Sequence, residues 1–416
     1  MLPPVLEVFV IWHPLDIEGE QIAREFVDHF RGVSFSGIIG GGIHVAARSK
    51  GWDCDGGCPQ PCYSVETSGP NGLASAEFVA FVPLLGRHMA WAVQEDGSSW
   101  NEFVVGLVES QKKKPKQIAT FPFALNKSAT DQTKLGEVFG SFQQIGASPK
   151  LADGDTEVGL RCRDLSQGLA QFLADEDDAR LTVFLSHTKR SNLSEGKDVD
   201  ELVDGVRKFI AATRLDEFFD AHDLQPGKDW EAELIKNAKN SALLAVRTDL
   251  YASRAWCQKE VAVAKVTGMP VVTLDALGLG EERGSFLMDH VPRIPTHKDE
   301  GHWQQTDISR ALNLLTDECL KREIWRVQKR VAEEGAALAV DWWSSHAPEP
   351  LTLLAWIEHV LDNGDKIPNS RPVRILHPDP PLGRDELGVL KSMAKSSKLD
   401  FEIDVMTPRL LAMRGG

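Results

Sequence analysis

Three times along the chain a short apolar run gives way to a polar turn and then to an amphipathic stretch. Val8-Phe9-Val10-Ile11-Trp12 precedes Glu20 to Phe30, and Leu181 to His187 precedes a stretch from about Val199 to Thr213. Val373 to Pro378 precedes Arg384 to Ser396 and a further run near Phe401 to Val405. Apolar runs this short read as strands, and the 3.6-residue periodicity behind them reads as helices. Strands that alternate with helices require a parallel sheet covered on both faces, because each crossover must return the chain to the same edge. The expectation is an α/β protein of repeated sheets, with ligands bound outside the carboxyl ends of the strands.

The first two blocks run in step beyond their openings. Ala76 to Pro83 lies beside Ser241 to Arg247 as a buried strand, and Gln117 to Pro122 beside Met269 to Leu274 as a later one. Between them, Ser98-Ser99-Trp100-Asn101-Glu102-Phe103-Val104 takes the place of Ser253 to Glu260. The Gly, Pro, Ser and Asp content of Ile145 to Gly154 marks a boundary. The predicted organisation is an α/β domain over 1–146, a connecting helix over 155–178, a second α/β domain over 179–318, and a helical connector with a small α/β region over 319–416. Within the last part, Lys321 to Glu334 is expected to be a long helix with a solvated face.

Length and composition set limits. A chain of 416 residues with 42% hydrophobic and 26% charged residues holds two or three folded domains and escapes the disordered regime. A net charge of −15 opposes binding to phosphate backbones and anionic lipid, so neither nucleic acid nor a membrane is expected as a direct partner. The cluster Lys112-Lys113-Lys114-Pro115-Lys116 reads as a solvated helix end. The opening residues resemble a first strand more than a signal peptide, and no apolar run nears the roughly 20 residues that span a bilayer. A cytoplasmic location is expected, with the six cysteines reduced.

Four separated segments carry a family resemblance. Val183-Phe184-Leu185-Ser186-His187, Phe218-Phe219-Asp220, Leu224 to Trp230 and Ser253 to Glu260 resemble, in order and spacing, successive motifs of a TIR domain. The resemblance covers about a third of the chain and implies a flavodoxin-like fold. In enzymatic members it implies hydrolysis or cyclisation of NAD⁺ with release of nicotinamide, NAD⁺ being substrate and no further cofactor being required. The essential glutamate of the family's Trp-x-x-x-Glu stretch maps onto Trp256 and Glu260. Asp223, Leu224, Gln225, Pro226 and Gly227 resemble the family's BB loop, which gates the pocket and makes contacts between subunits. Ser186 and His187 match a phosphate- or ribose-facing turn, and Asp220 an acidic position near substrate. Lys228 and Arg254 are candidates for the pyrophosphate. A bacterial anti-phage effector or signalling enzyme follows as the expected role, with self-association and a nucleotide signal or protein activator as partners; the alternative is a non-enzymatic TIR scaffold.

Physical chemistry supports that mapping independently. Residues four apart on a helix share a face, so Trp256 and Glu260 are expected to border one pocket. Cleavage of the nicotinamide–ribose bond develops positive charge on the sugar, and a carboxylate set against it stabilises that charge. An indole offers a flat surface for a ring. In the first block Val104 stands where the acid would be, so a degenerate, non-catalytic domain is expected there. The glycine-rich Gly37 to His44 reads as a flexible turn, with an approach to phosphate as the alternative. Cys54, Cys58 and Cys62 read either as a surface loop of reduced thiols or as ligands to Zn²⁺ or an Fe–S cluster, with His44 as a fourth.

Overall fold

A computed structural model describes residues 5–32, 35, 42–51, 58–59, 76–145, 151–174, 181–188, 196–215, 218–219, 241–281, 283–334, 339–364, 367–368 and 370–414. The first unit contains β1 (Leu6–Ile11), α1 (Ile17–Arg31), β2 (Ile43–Arg48), β3 (Phe78–Leu85), α2 (Arg87–Gln94), α3 (Ser99–Lys113), β4 (Ile118–Thr120), β5 (Phe123–Ala124) and α4 (Lys134–Phe139). Its sheet runs β2-β1-β3-β4 and is parallel throughout, with Leu6 opposite both Ile43 and Phe78, while β5 pairs with the far end of β3. Every residue of β1 and β3 is buried, as expected for central strands covered on both faces.

The helix α5 (Glu157–Ala174) leads to the second unit: β6 (Thr182–Ser186), α6 (Gly196–Ala211), β7 (Phe218–Phe219), β8 (Ser241–Arg247), α7 (Ala255–Thr267), β9 (Val271–Asp275) and β10 (Arg293–Pro295). These strands form one parallel sheet in the order β7-β6-β8-β9-β10. Counted in chain order that is 2-1-3-4-5, the flavodoxin-like arrangement, and the first four strands of the first sheet follow the same order. A two-stranded antiparallel ribbon, β11 (Lys298–Asp299) and β12 (His302–Trp303), precedes α8 (Gln305–Glu334). The chain ends in a smaller unit of β13 (Trp342–Trp343), α9 (Pro350–Asn363), β14 (Val373–Leu376), α10 (Arg384–Ser396), β15 (Ile403–Met406) and α11 (Pro408–Met413), its three strands also parallel.

Two expectations are corrected. The boundary at 318 falls inside α8, a single 30-residue helix. Its second half presents the solvated face read from Lys321 to Glu334 only in part: Lys329, Arg330, Glu333 and Glu334 are exposed, and the rest is packed against neighbours. Arg322, Glu323, Ile324, Trp325, Val327 and Gln328 are all buried, and the charges are absorbed by pairing: Arg322 and Arg326 both reach the Glu323 carboxylate, and Arg322 donates to the Ser241 carbonyl at 3.0 Å. A charged run reads as solvated only until its partners are known. The same helix enters three cores. Ile308, Leu312 and Leu315 pack under the second sheet, Leu320 and Ile324 under the first, and Trp325 against the terminal unit.

Strand β2 was hidden in the sequence by the glycines before it. Gly42 adopts φ +73, its carbonyl accepts from both Val5 and Leu6, and a side chain there would collide with Ile324 and Gln328 of α8. The turn and the close approach both require glycine at that position.

Candidate functional site

Flavodoxin-like sheets hold ligands where the strand order reverses. In the second sheet that point lies between β6 and β8, because the chain leaves β6 for β7 on one side and returns to β8 on the other. Ser186 ends β6, opposite Ala245 of β8, and is 1% exposed. Beyond β8 the chain makes a 3-10 turn at Tyr251–Ser253 and enters α7, with Arg254 at the N-cap position. From the first two turns of α7, Cys257, Glu260 and Val261 point inward.

Glu260 is 2% exposed, and the Ser186 hydroxyl donates to its Oε2. The Tyr251 hydroxyl lies 2.6 Å from Ser186 Oγ. Burial, together with the neighbouring Cys257, holds the Tyr251 phenol well above its usual range, so it remains a donor. A relay from Tyr251 through Ser186 to Glu260 follows, with the carboxylate as its acceptor end. Burial, then the Glu260 charge, pushes the Cys257 thiol up to about 12. Its Sγ lies 3.7 Å from the His187 carbonyl, and it is a protonated thiol at neutral pH rather than a nucleophile.

Of the residues singled out in the sequence, Ser186 and Glu260 are brought into direct contact. His187 follows on the same strand end, its Nδ1 3.2 Å from the Thr188 carbonyl, and the buried Thr188 hydroxyl is 3.3 Å from that of Thr248. Arg254 stands at the entry to α7. Trp256 is 41% exposed, unlike Glu260 one turn further along α7. The calls on Asp220, Asp223, Leu224, Gln225, Pro226, Gly227 and Lys228 fall outside the described residues, as do Cys54 and Cys62. Cys58 donates to the Ser99 carbonyl at 3.3 Å, and burial raises its pKa. Among the described residues no group of His, Cys, Asp or Glu side chains is arranged to hold a metal ion.

Tyr251 was not anticipated, although it is one of only two tyrosines in the chain and lies between a buried strand and the Trp-x-x-x-Glu stretch. A second unanticipated feature is the loop after β9. The Asp249 carboxylate accepts from the backbone of Gly278, Leu279 and Gly280 at 2.8 to 3.1 Å, and Arg247 pairs with Glu281 at 2.5 Å. That loop therefore has a fixed shape beside the strand ends, with Leu279 fully in solvent.

The equivalent edge of the first sheet is built differently. Val104 occupies the acid's place and is 1% exposed, and Trp100 is also buried. Asp16, just past β1, accepts from the backbone of His88 and Met89 at 3.0 and 3.1 Å and from His88 Nδ1 at 2.9 Å. A side chain on Gly86 would strike that carboxylate. Asp16 thus caps α2, and the edge is closed by structural hydrogen bonds. Comparison of the chain with protein-family models, with curated proteins and with solved structures finds no match.

Proposed function

We propose that the second α/β unit is a TIR-type NAD⁺ hydrolase or cyclase, with Glu260 as its catalytic residue. One observation carries the reading: a buried carboxylate at the switch point, fixed in orientation by the Ser186 hydroxyl. In the reaction the bond between the ribose carbon and the nicotinamide nitrogen breaks, and its electron pair leaves with neutral nicotinamide. The positive charge left on the sugar is stabilised by the Glu260 carboxylate. Water then adds to the sugar carbon and loses a proton, giving ADP-ribose, or an adenine nitrogen closes the ring instead. Trp256 supplies a ring surface, and Arg254 and Lys228 complement the pyrophosphate. Assembly of copies through these units completes the pocket, and the biological role is that of an effector or signalling enzyme in anti-phage defence.

The test is incubation of the assembled protein with NAD⁺ while nicotinamide is measured. Release that disappears in Glu260→Ala is expected; no release, or release unchanged by the substitution, overturns the reading. A non-enzymatic scaffold is the second reading, favoured by the exposure of Leu279 and Phe286 on the same unit. It predicts oligomers that survive Glu260→Ala without nicotinamide under any condition.

A further inference from the structure

A cleft of about 290 Å³ separates the end of α7 from the terminal unit. Its walls include Lys265 and Gly268 of α7, Trp342, Ser345, Trp356 and His359. Gly268 ends the helix at φ +72, and a side chain there would lie 2.5 Å from Ser345 Oγ, so the two walls meet at that point. Trp342 and Trp356, both partly exposed, stack with centroids 5.5 Å apart and planes 14° apart, and Phe401 packs against Trp356 with centroids 5.8 Å apart.

The charges of the cleft are already compensated. Lys265 Nζ is 2.8 Å from Glu349 Oε2 and 2.6 Å from the Asp289 carbonyl. Burial, then the nearby cations Lys265, Arg322 and Lys321, lowers His346 to about 4, so this imidazole is neutral at physiological pH. Lys265, the lysine in the cleft wall, is therefore already committed to Glu349 and the Asp289 carbonyl. The volume lies at the small end of ligand pockets and excludes a whole dinucleotide. What remains is aromatic surface together with hydrogen-bonding groups such as the Ser345 hydroxyl and the His359 ring nitrogens.

We infer that this cleft binds an uncharged, planar heteroaromatic ring that carries both a donor and an acceptor, of the size of nicotinamide or a free nucleobase. The cleft is distinct from the Glu260 site, and the inference does not depend on NAD⁺ cleavage. The two share a helix: Lys265 lies five positions beyond Glu260, about 7.5 Å along the axis at the α-helical rise.

Titration of the full chain with nicotinamide, adenine and adenosine, followed by calorimetry and tryptophan fluorescence, tests this. One saturable site for at least one of these probes is expected, with nicotinate, the charged analogue, binding at least about tenfold more weakly. The tightest probe identifies whether the cleft takes a free base or the base of a nucleoside. Ala355→Phe, which fills the cleft from a partly exposed position, and Trp356→Ala are each expected to weaken binding about tenfold or more, while Glu260→Ala leaves it unchanged. Three results overturn the inference: no saturable binding to the unmodified chain, nicotinate binding equal to nicotinamide, or binding that persists in Ala355→Phe and is lost in Glu260→Ala. The last result would assign the probe to the Glu260 site.

Discussion

Ser186 Oγ donates to Glu260 Oε2 across 74 positions of sequence, joining the end of the first strand of the second unit to the helix that follows its third. The contact fixes which carboxylate oxygen remains for substrate. If Glu260 stabilises charge developing on a sugar, its removal costs far more than removal of the hydroxyl that aims it. Glu260→Gln is expected to lower the rate of nicotinamide release by roughly 10²–10³-fold, and Ser186→Ala by about tenfold, judging from the worth of single preorganised groups. Both are read as kcat, with thermal melts establishing that the variants are folded. Equal losses for the two would make Ser186 more than a positioning residue.

Lys265 and Glu349 test the balance between pairing and burial. The ion pair is 2.8 Å long, with both side chains 8% exposed, and burial is the largest influence on each: it lowers the lysine and raises the glutamate despite their attraction. Such a pair contributes little net stability, yet breaking it strands a charge. Lys265→Met alone is expected to cost about 3 kcal/mol, and Lys265→Met with Glu349→Gln to recover most of it. A double-mutant cycle by urea unfolding measures this. The sign of the pH dependence follows from the raised Glu349 value. The folded state takes up this proton at a higher pH than the unfolded chain, so its contribution is present below the unfolded carboxylate pKa and is lost as pH rises through the folded one. Stability measured across that acidic window should lose this slope in Glu349→Gln.

Asp16 and Gly86 make a steric prediction in the first unit. A Cβ on Gly86 would lie 2.2 Å from Asp16 Cγ, and the carboxylate already caps the first turn of α2. Gly86→Ala must displace that cap and is expected to destabilise by about 2 kcal/mol, near the upper end for loss of an N-cap. Asp16→Ala should cost a similar amount, and the double substitution no more than either alone. Additive losses would show that the two residues act separately.

The strands and helices were legible because their apolar periods are strong: Ser241–Arg247 and Arg384–Ser396 have the bounds their patterns suggest. Ser186 and Glu260 were each singled out only through the TIR resemblance, and their contact was not foreseen, since nothing in the local pattern of either residue reports a partner 74 positions away. Tyr251 escaped notice because a lone tyrosine in a turn has no period. Arg322 and Glu323 of α8 were misread as solvated for a related reason: Arg322 finds its acceptor on Ser241 and its ion pair with Glu323, and pairing across distant segments leaves no mark in composition. Helix α8 also shows why domain bounds drawn from linker composition miss a shared helix, which has the same periodicity on both sides of the supposed boundary.

That shared helix gives the last prediction. Leu315 is fully buried under the second sheet, and Ile324, nine residues on, is 2% exposed under the first. Each truncation to alanine removes buried methyl groups and leaves a cavity, so each is expected to cost about 2–5 kcal/mol. Because both residues belong to one continuous helix, neither sheet can lose it without exposing core in the other. Ile324→Ala should therefore lower the unfolding midpoint of the second unit as well as the first. Paired cysteine-free fluorescent probes, one in each unit, report the two transitions, and coincident midpoints in the unmodified chain, Leu315→Ala and Ile324→Ala are expected. Separate midpoints, with each substitution moving only its own unit, would mean that α8 frays at Cys319 and Leu320 and that the two sheets fold independently.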